Sequence, residues 1–370
     1  MLFLTVLSET DLLNFFTSKN CEKNCIFLGQ NLTDHDIDSF PSSCHTVCTD
    51  LVINEYCDLT EEQLTLAFRN VKGIVGGLTV SNTKLTSLKF LAGVEFIDCY
   101  DANTIMISSN PKLTELGLTN LTEISGYGLS IYDNPKLKRL NVPNLKNMTS
   151  TNPNSTQLEV YITSDATDFC VTIEEMKMLM EIPNSDVDHI FGKYCKQEFT
   201  EKVCKKPEKG CTAIYGDLGI SKNTDLENLN SVEIVYGSLV IKETTLKNLN
   251  FLRNLKYVAQ MDQKPAVIIQ DNPNLVNVTF PNLKRIRSET TEVMVFKRNN
   301  STLSSDSSIC LGLRNSLKLK DDAPIFDDKS CELLGTNLSG GSSGFSDFFK
   351  ILILAVFNHR VIRAVANSIT

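Results

Sequence analysis

Twelve cysteines are the residues of this chain best equipped for chemistry; they stand at 21, 25, 44, 48, 57, 99, 170, 195, 204, 211, 310 and 331. A thiol can form a disulfide, ligate a metal or act in redox exchange, and spacing separates these uses. The number is even and no C-x-x-C pair occurs, which fits a disulfide framework better than zinc or redox chemistry. Cys21/Cys25 and Cys44/Cys48, with His45 alongside, have the spacing of metal half-sites. No C-x-x-C or H-x-x-x-H partner follows them, so neither a metal nor a cofactor is expected.

Catalytic constellations are absent. The chain has four histidines (His35, His45, His189, His359) and no H-E-x-x-H, G-x-S-x-G or P-loop. The glycine-rich stretches GIVGG (73–77) and SGYG (125–128) read as tight corners. The acidic pairs Glu61/Glu62 and Glu174/Glu175 follow Thr60 and Thr172, where carboxylates favour a helix start. The reading is therefore not an enzyme. A net charge of −8 argues against nucleic acid as a partner.

Eight Asn-x-Ser/Thr sequons begin at Asn31, Asn120, Asn147, Asn154, Asn277, Asn299, Asn300 and Asn337. Chance would yield about six in such a composition, so they agree with secretion without proving it. Together with the cysteines they point to an extracellular protein, secreted or attached to the cell surface. Asn154, Asn299 and Asn300 lie in polar runs that read as loops, and glycan is expected at Asn154 and at one of Asn299 and Asn300. The opening MLFLTVL is a short apolar stretch without a basic start, a weak or truncated signal region. Near the other end, SGGSSG precedes FSDFFKILILAVF, which Asp347 and Lys350 interrupt and which is short of the ~20 apolar residues of a membrane span. Small residues before an apolar tail resemble a glycolipid-anchor signal, whereas the closing His359, Arg360 and Arg363 do not. Membrane attachment stays open.

The elements that carry these residues repeat. Apolar triplets start at 51, 78, 105 and 129, then again at 218, 239, 267 and 293, so the period is 21–28 residues. One short strand per unit at such a period signifies a solenoid. SNPKL (109–113), DNPKL (133–137) and DNPNL (271–275) punctuate it, with Pro and Asn making the corner and Leu113, Leu137 and Leu275 pointing inward. The two series are copies: GGLTVSNTKLTSLKFLAGVEFI (76–97) lies over GSLVIKETTLKNLNFLRNLKYV (237–258) without a gap.

That doubled frame, with CTDLVI, ISSNPKL, IQDNPNL and FPNLKRI, resembles the receptor L domain of the insulin and EGF receptors. It is most similar to the two-L-domain proteins of nematodes that lack a kinase. The resemblance covers about 44–331 and implies a mainly β chain. The expected architecture is two tandem right-handed β-helix L domains, solenoids resembling leucine-rich repeats, with short capping helices. The expected division is an N-terminal segment (1–24), L domain 1 (25–195), a short linker (196–210), L domain 2 (211–335), and a spacer with an apolar tail (336–370). TIEEMKMLMEI (172–182) has the period of a capping helix.

From the repeat, Cys170–Cys195 answers Cys310–Cys331 as a closing pair, and Cys204–Cys211 is expected to bond. The six earlier cysteines should also pair, Cys57–Cys99 among the options. Two departures from the resemblance stand out. Only fifteen residues (196–210) replace the cysteine-rich domain between the L domains of those receptors, and no G-x-G-x-x-G, HRD or DFG of a kinase is present. In the family the ligand meets the outward face of the first L domain. Carried over, that face comprises Val52, Asn54, Glu55, Thr79, Ser81, Asn82, Met106 and Ser108, mostly small or polar. The implied function is a receptor-like binding protein with two L domains, binding or sequestering insulin-like or EGF-like peptides. The alternative is a surface or matrix interaction protein with no growth-factor ligand.

Overall fold

The computed structural model describes residues 9–334 except 30, 101, 102 and 321. The apolar start (1–8), the spacer and tail from 335 onward, and the sequon at Asn337 lie outside the described residues. The chain is mainly β, with parallel sheets and four short helices among the described residues: α1 (Glu9–Ser18), α2 (Glu61–Phe68), α3 (Ile173–Glu181) and α4 (Ser308–Leu317).

Nine strands fill the first half: β1 (Thr46–Ile53), β2 (Gly73–Ser81), β3 (Phe96–Cys99), β4 (Ile105–Ser108), β5 (Glu123–Gly126), β6 (Gly128–Tyr132), β7 (Asn147–Ser150), β8 (Leu158–Ile162) and β9 (Ser185–Asp186). They pair in parallel in the order β7-β5-β3-β2-β4-β6-β8-β9, with β1 beside β2. The long β2 joins two ladders, its first residues pairing with β3 and its last with β4. It turns at Gly76, whose φ is 134° and where a Cβ would stand 2.3 Å from the Thr49 carbonyl oxygen. Only glycine fits there.

The second half repeats the two ladders as separate sheets. One is β10 (Val203–Cys204), β11 (Ala213–Tyr215), β13 (Ile234–Tyr236), β15 (Tyr257–Ala259) and β17 (Arg285–Arg287). The other is β12 (Leu218–Ile220), β14 (Leu239–Lys242), β16 (Val267–Gln270), β18 (Met294–Lys297) and β19 (Ile325–Phe326). The second set of ladders thus begins with β10, inside the stretch 196–210 that reads as a linker in the sequence.

Alternation decides what each strand buries. Leu51, Leu78, Val80, Ile107, Ile131 and Ile162 face inward along one ladder and Leu239, Val267 and Met294 along its counterpart. At the corners, Leu113, Leu137 and Leu275 are 0% exposed. The asparagine before each proline does more than turn the chain. Asn110 Oδ1 accepts from the Thr83 amide at 3.0 Å and the Thr83 hydroxyl at 2.7 Å, while its Nδ2 donates to the carbonyls of Val80 and Ser108 at 3.0 and 2.9 Å. Asn134 repeats this one row on, accepting from the Asn110 amide and donating to the carbonyls of Ile107 and Tyr132. Thr244, Asn272 and Asn299 form the same chain of bonds in the second half. The residue before each of them (Asn82, Ser109, Asp133, Glu243, Asp271, Arg298) has a φ of 50–57°.

The helix starts agree with the sequence reading. Thr60 and Thr172 each accept from the backbone three residues on, and Gln63 and Glu175 reach back to complete capping boxes. Glu175 is buried and also accepts from the Asn141 amide at 2.9 Å, which ties α3 to the strand rows.

Leu137→Ala is expected to cost ~2–5 kcal/mol, the usual range for a leucine deleted from a packed core. Asn134→Ala should destabilise the fold as well, by at least ~1–3 kcal/mol, because it leaves buried carbonyls and an amide unpaired. Urea unfolding of each variant measures both; an unchanged midpoint in Asn134→Ala would mean that water replaces the side chain.

Candidate functional site

Register places the outward residues of the first half in rows. Val52, Thr79, Met106, Ser130 and Tyr161 form one; Ser81, Ser108 and Tyr132 form the next. Val52, Thr79, Ser81 and Met106 are half-buried on this face, and Glu55 and Asn82 are exposed at its margin. Asn54 stands just past β1 and donates to Asn31 Oδ1 at 2.7 Å. Ser108 corrects the expectation of an open position, since it is only 4% exposed. It lies in register between Ser81 and Tyr132, and the Tyr132 hydroxyl reaches sideways to Met106 Sδ at 3.5 Å.

That tyrosine opens a track of rings absent from the sequence reading of a mostly small, polar face. Tyr132 and Tyr161 meet edge to face at 6.3 Å, Tyr161 and Phe191 at 5.9 Å, and His189 lies 6.5 Å from Phe191. His189 Nδ1 stands 3.4 Å from a Glu159 carboxylate oxygen. The signal was present in LSIY (129–132) and LEVYI (158–162), where each tyrosine has the parity of the outward positions. The expected face ends at β4, and the tyrosines stand on the next two strands of the same ladder, β6 and β8. Edge-to-face rings held half-exposed on a rigid sheet offer large contact area with little entropy left to lose.

The track ends in a groove of about 430 Å³ between the halves, to which His189 and Phe191 contribute from one side and Arg285 and Lys320 from the other. Here the halves are joined. The outward residues of β11, β13, β15 and β17 pack on the end of the first half, so that Ala213, Ile234, Tyr236, Tyr257, Ala259 and Met261 complete its core. The Tyr194 hydroxyl donates to the Ala259 carbonyl at 2.8 Å, Tyr215 to Cys195 at 3.1 Å and Tyr236 to Ile173 at 3.0 Å. Burial pushes the Tyr194 and Tyr236 phenols up, so both remain donors. Arg285 caps the C-terminal end of α3 by donating to the carbonyls of Leu179 and Pro183. Arg287 is 0% exposed, and its guanidinium donates to the carbonyls of Val187 and Ile190 in the first half and Gln260 in the second.

The cysteines resolve into Cys21–Cys48, Cys25–Cys44, Cys170–Cys195, Cys204–Cys211 and Cys310–Cys331. The half-site pairs therefore bond to one another across the two C-x-x-x-C units. Cys57 and Cys99 stay as thiols, which corrects the expectation that all six early cysteines pair. Cys99 aligns with Gly76 and Thr49, whereas Cys57 lies beyond Ile53, so at least four extended residues, roughly 13 Å, separate them along the sheet. Burial, with the Asp50 and Asp98 carboxylates nearby, pushes the Cys99 thiol up to about 12.

Of the sequons, Asn154 is exposed in a loop. Asn299 and Asn300 differ in depth: Asn299 Nδ2 donates to the Ile269 carbonyl at 2.7 Å within the corner chain, while Asn300 sits at the exposed rim, its Nδ2 donating to the Pro273 carbonyl at 2.7 Å and its Oδ1 accepting from Thr302. No helix among the described residues is long and apolar enough to cross a membrane.

A model of the receptor L domain family matches residues 43–131 and 210–315, more than half of the chain. Protein irld-34 of Caenorhabditis elegans is 23% identical to this chain over 279 residues, covering 68% of the chain and 62% of that relative. The chain thus spans less than two thirds of that relative's length. Tyr132, Tyr161, His189 and Phe191 lie outside the matched stretches.

Arg287→Ala is expected to cost ~3–5 kcal/mol and to open the join, since it strands three buried carbonyls. Trypsin should then cut within the lysine-bearing 196–209 stretch faster than it does in the unaltered protein. Equal cleavage of both proteins would show that the join does not depend on this side chain.

Proposed function

The chain belongs to the receptor L domain family, and from that premise we propose that it is an extracellular, receptor-like binding protein whose contact surface is the outward face of its first half. Each half is a right-handed β-helix in this reading, L domain 1 over 25–195 and L domain 2 over 211–335. The observation that carries the function is the half-exposed track Met106–Tyr132–Tyr161–Phe191, the first three set on fixed strands and Phe191 next to the bridge between Ile190 and Ile162. Val52, Thr79 and Ser81 extend it, with Asn54, Glu55 and Asn82 as polar margin. An insulin-like or EGF-like peptide, a small folded partner with an apolar face, is the ligand class proposed. The 370 residues hold no kinase motif, so binding or sequestering is the role assigned to them. Glycan is proposed at Asn154 and Asn300; Asn299, whose amide is held in the part-buried corner chain, is left out, whereas the bond from Asn300 Nδ2 to the Pro273 carbonyl lies at the exposed rim.

A panel of insulin-like and EGF-like peptides titrated against the purified protein tests the reading. Tyr161→Ala should weaken a bound peptide at least tenfold, the loss expected of an anchor worth more than about 1.4 kcal/mol. A panel that fails to bind, or binding indifferent to both Tyr132→Ala and Tyr161→Ala, would move the site elsewhere. Glycopeptide mapping should find sugar on Asn300 in preference to Asn299; the reverse would mean that the corner chain opens before it is modified.

A further inference from the structure

We propose that Asn147 carries an N-linked glycan whose role is to shield the open edge of the nine-stranded sheet. β7 is the last strand on its side and pairs with β5 alone. Such an edge presents unpaired backbone groups on which another chain can build. The other ladder ends are managed in the ways edges usually are. The chain alongside β1 is held by the Phe27 amide donating to Cys48 and the Leu32 amide to Val52. β9, β10 and β19 are two residues long, β12 is three residues between Asp217 and Lys222, and the arginines of β17 are engaged by the first half. β7 has four residues, Asn147-Met148-Thr149-Ser150, and contains no charge and no proline.

That strand is also a sequon. Met148 is buried and its two neighbours are exposed, so Asn147 and Thr149 stand together on the outward side of an extended segment, the acceptor and its hydroxyl both accessible. The Asn147 side chain has no hydrogen-bond partner among the described residues, unlike Asn299, whose amide holds a corner. A branched sugar there occupies the space a second strand would need and does what an edge lysine does elsewhere.

The inference rests on the extracellular reading, and Asn154, in the loop that follows β7, serves as its internal reporter. The full chain would be secreted from animal cells and its glycopeptides mapped after enzymatic release of the sugar in heavy-oxygen water. Asn147 is expected to be occupied alongside Asn154. Light scattering on a sizing column should show the intact protein as a monomer. Asn147→Gln and Thr149→Ala, which both abolish the sequon, should lose the monomer peak to larger species. Asn154→Gln should keep it, and Thr149→Lys, which removes the sugar but restores a charge to the strand, should keep it too. Sugar on Asn154 with none on Asn147 would overturn the proposal while leaving the extracellular reading intact. Sugar on neither would overturn both. An occupied Asn147 whose Gln and Ala variants remain monomeric would overturn the shielding role.

Discussion

Successive rows of each half turn a corner inside the core, and the backbone groups stranded there are the constraint on which the rest is built. A strand pairs its amides and carbonyls with its neighbours; a buried corner cannot, and each unpaired group costs ~1–3 kcal/mol. The asparagine carboxamide answers this with one acceptor and two donors in a plane. Asn110, Asn134 and Asn272 each bind the backbone of their own row and of the row before it, and Asn299 binds the row before it. The row spacing is therefore set by a hydrogen-bond chain as well as by apolar packing. The left-handed residue before each asparagine aims the carboxamide inward, a strain that the bonds offset.

The same constraint explains how the halves meet. The end of the first half, 173–195, leaves carbonyls that no further strand receives, and Arg285, Arg287, Tyr215 and Tyr236 supply the donors. A guanidinium suits this because it offers several donors in a fixed plane. Burial lowers the pKa of Arg287 from its ordinary value, yet a guanidinium stays charged across the physiological range. One consequence is geometric. The ladder of the second half that contains β17 has its outward side occupied, and the outward face in the first half is left as the broad surface bearing rings.

Most of the fold was legible in the residues. The period, the two copies, the inward leucines and the threonine caps follow from local rules that depend on neighbours a few positions away. What escaped needed information from distant segments. Ser108 has outward parity but is buried, in register between Ser81 and Tyr132 of the neighbouring rows. The alternation of AIY, IVY, YVA and RIR (213–287) was readable as aromatic and basic on one side, yet only the docked halves reveal that this side is buried. The site was legible in part: Val52, Thr79, Ser81 and Met106 fall on one face as expected, while Tyr132, Tyr161 and Phe191, outside the stretches matched to the family, were not included.

The disulfides fall where this architecture is weakest. A row in the middle of a ladder is held on both sides by its neighbours, and Cys99, a buried thiol on β3, belongs to such a row. A row at an end has one neighbour only. Cys21–Cys48 and Cys25–Cys44 fasten the start of the first half, and Cys170–Cys195 fastens its end. Cys204–Cys211 fastens the start of the second half and Cys310–Cys331 its end. Loops of this size, 7 to 27 residues between partners, each withdraw ~2–4 kcal/mol of chain entropy from the unfolded state. That gain is placed where fraying would begin, so the cross-links resist the loss of terminal rows, and the interior is left to its asparagines and leucines.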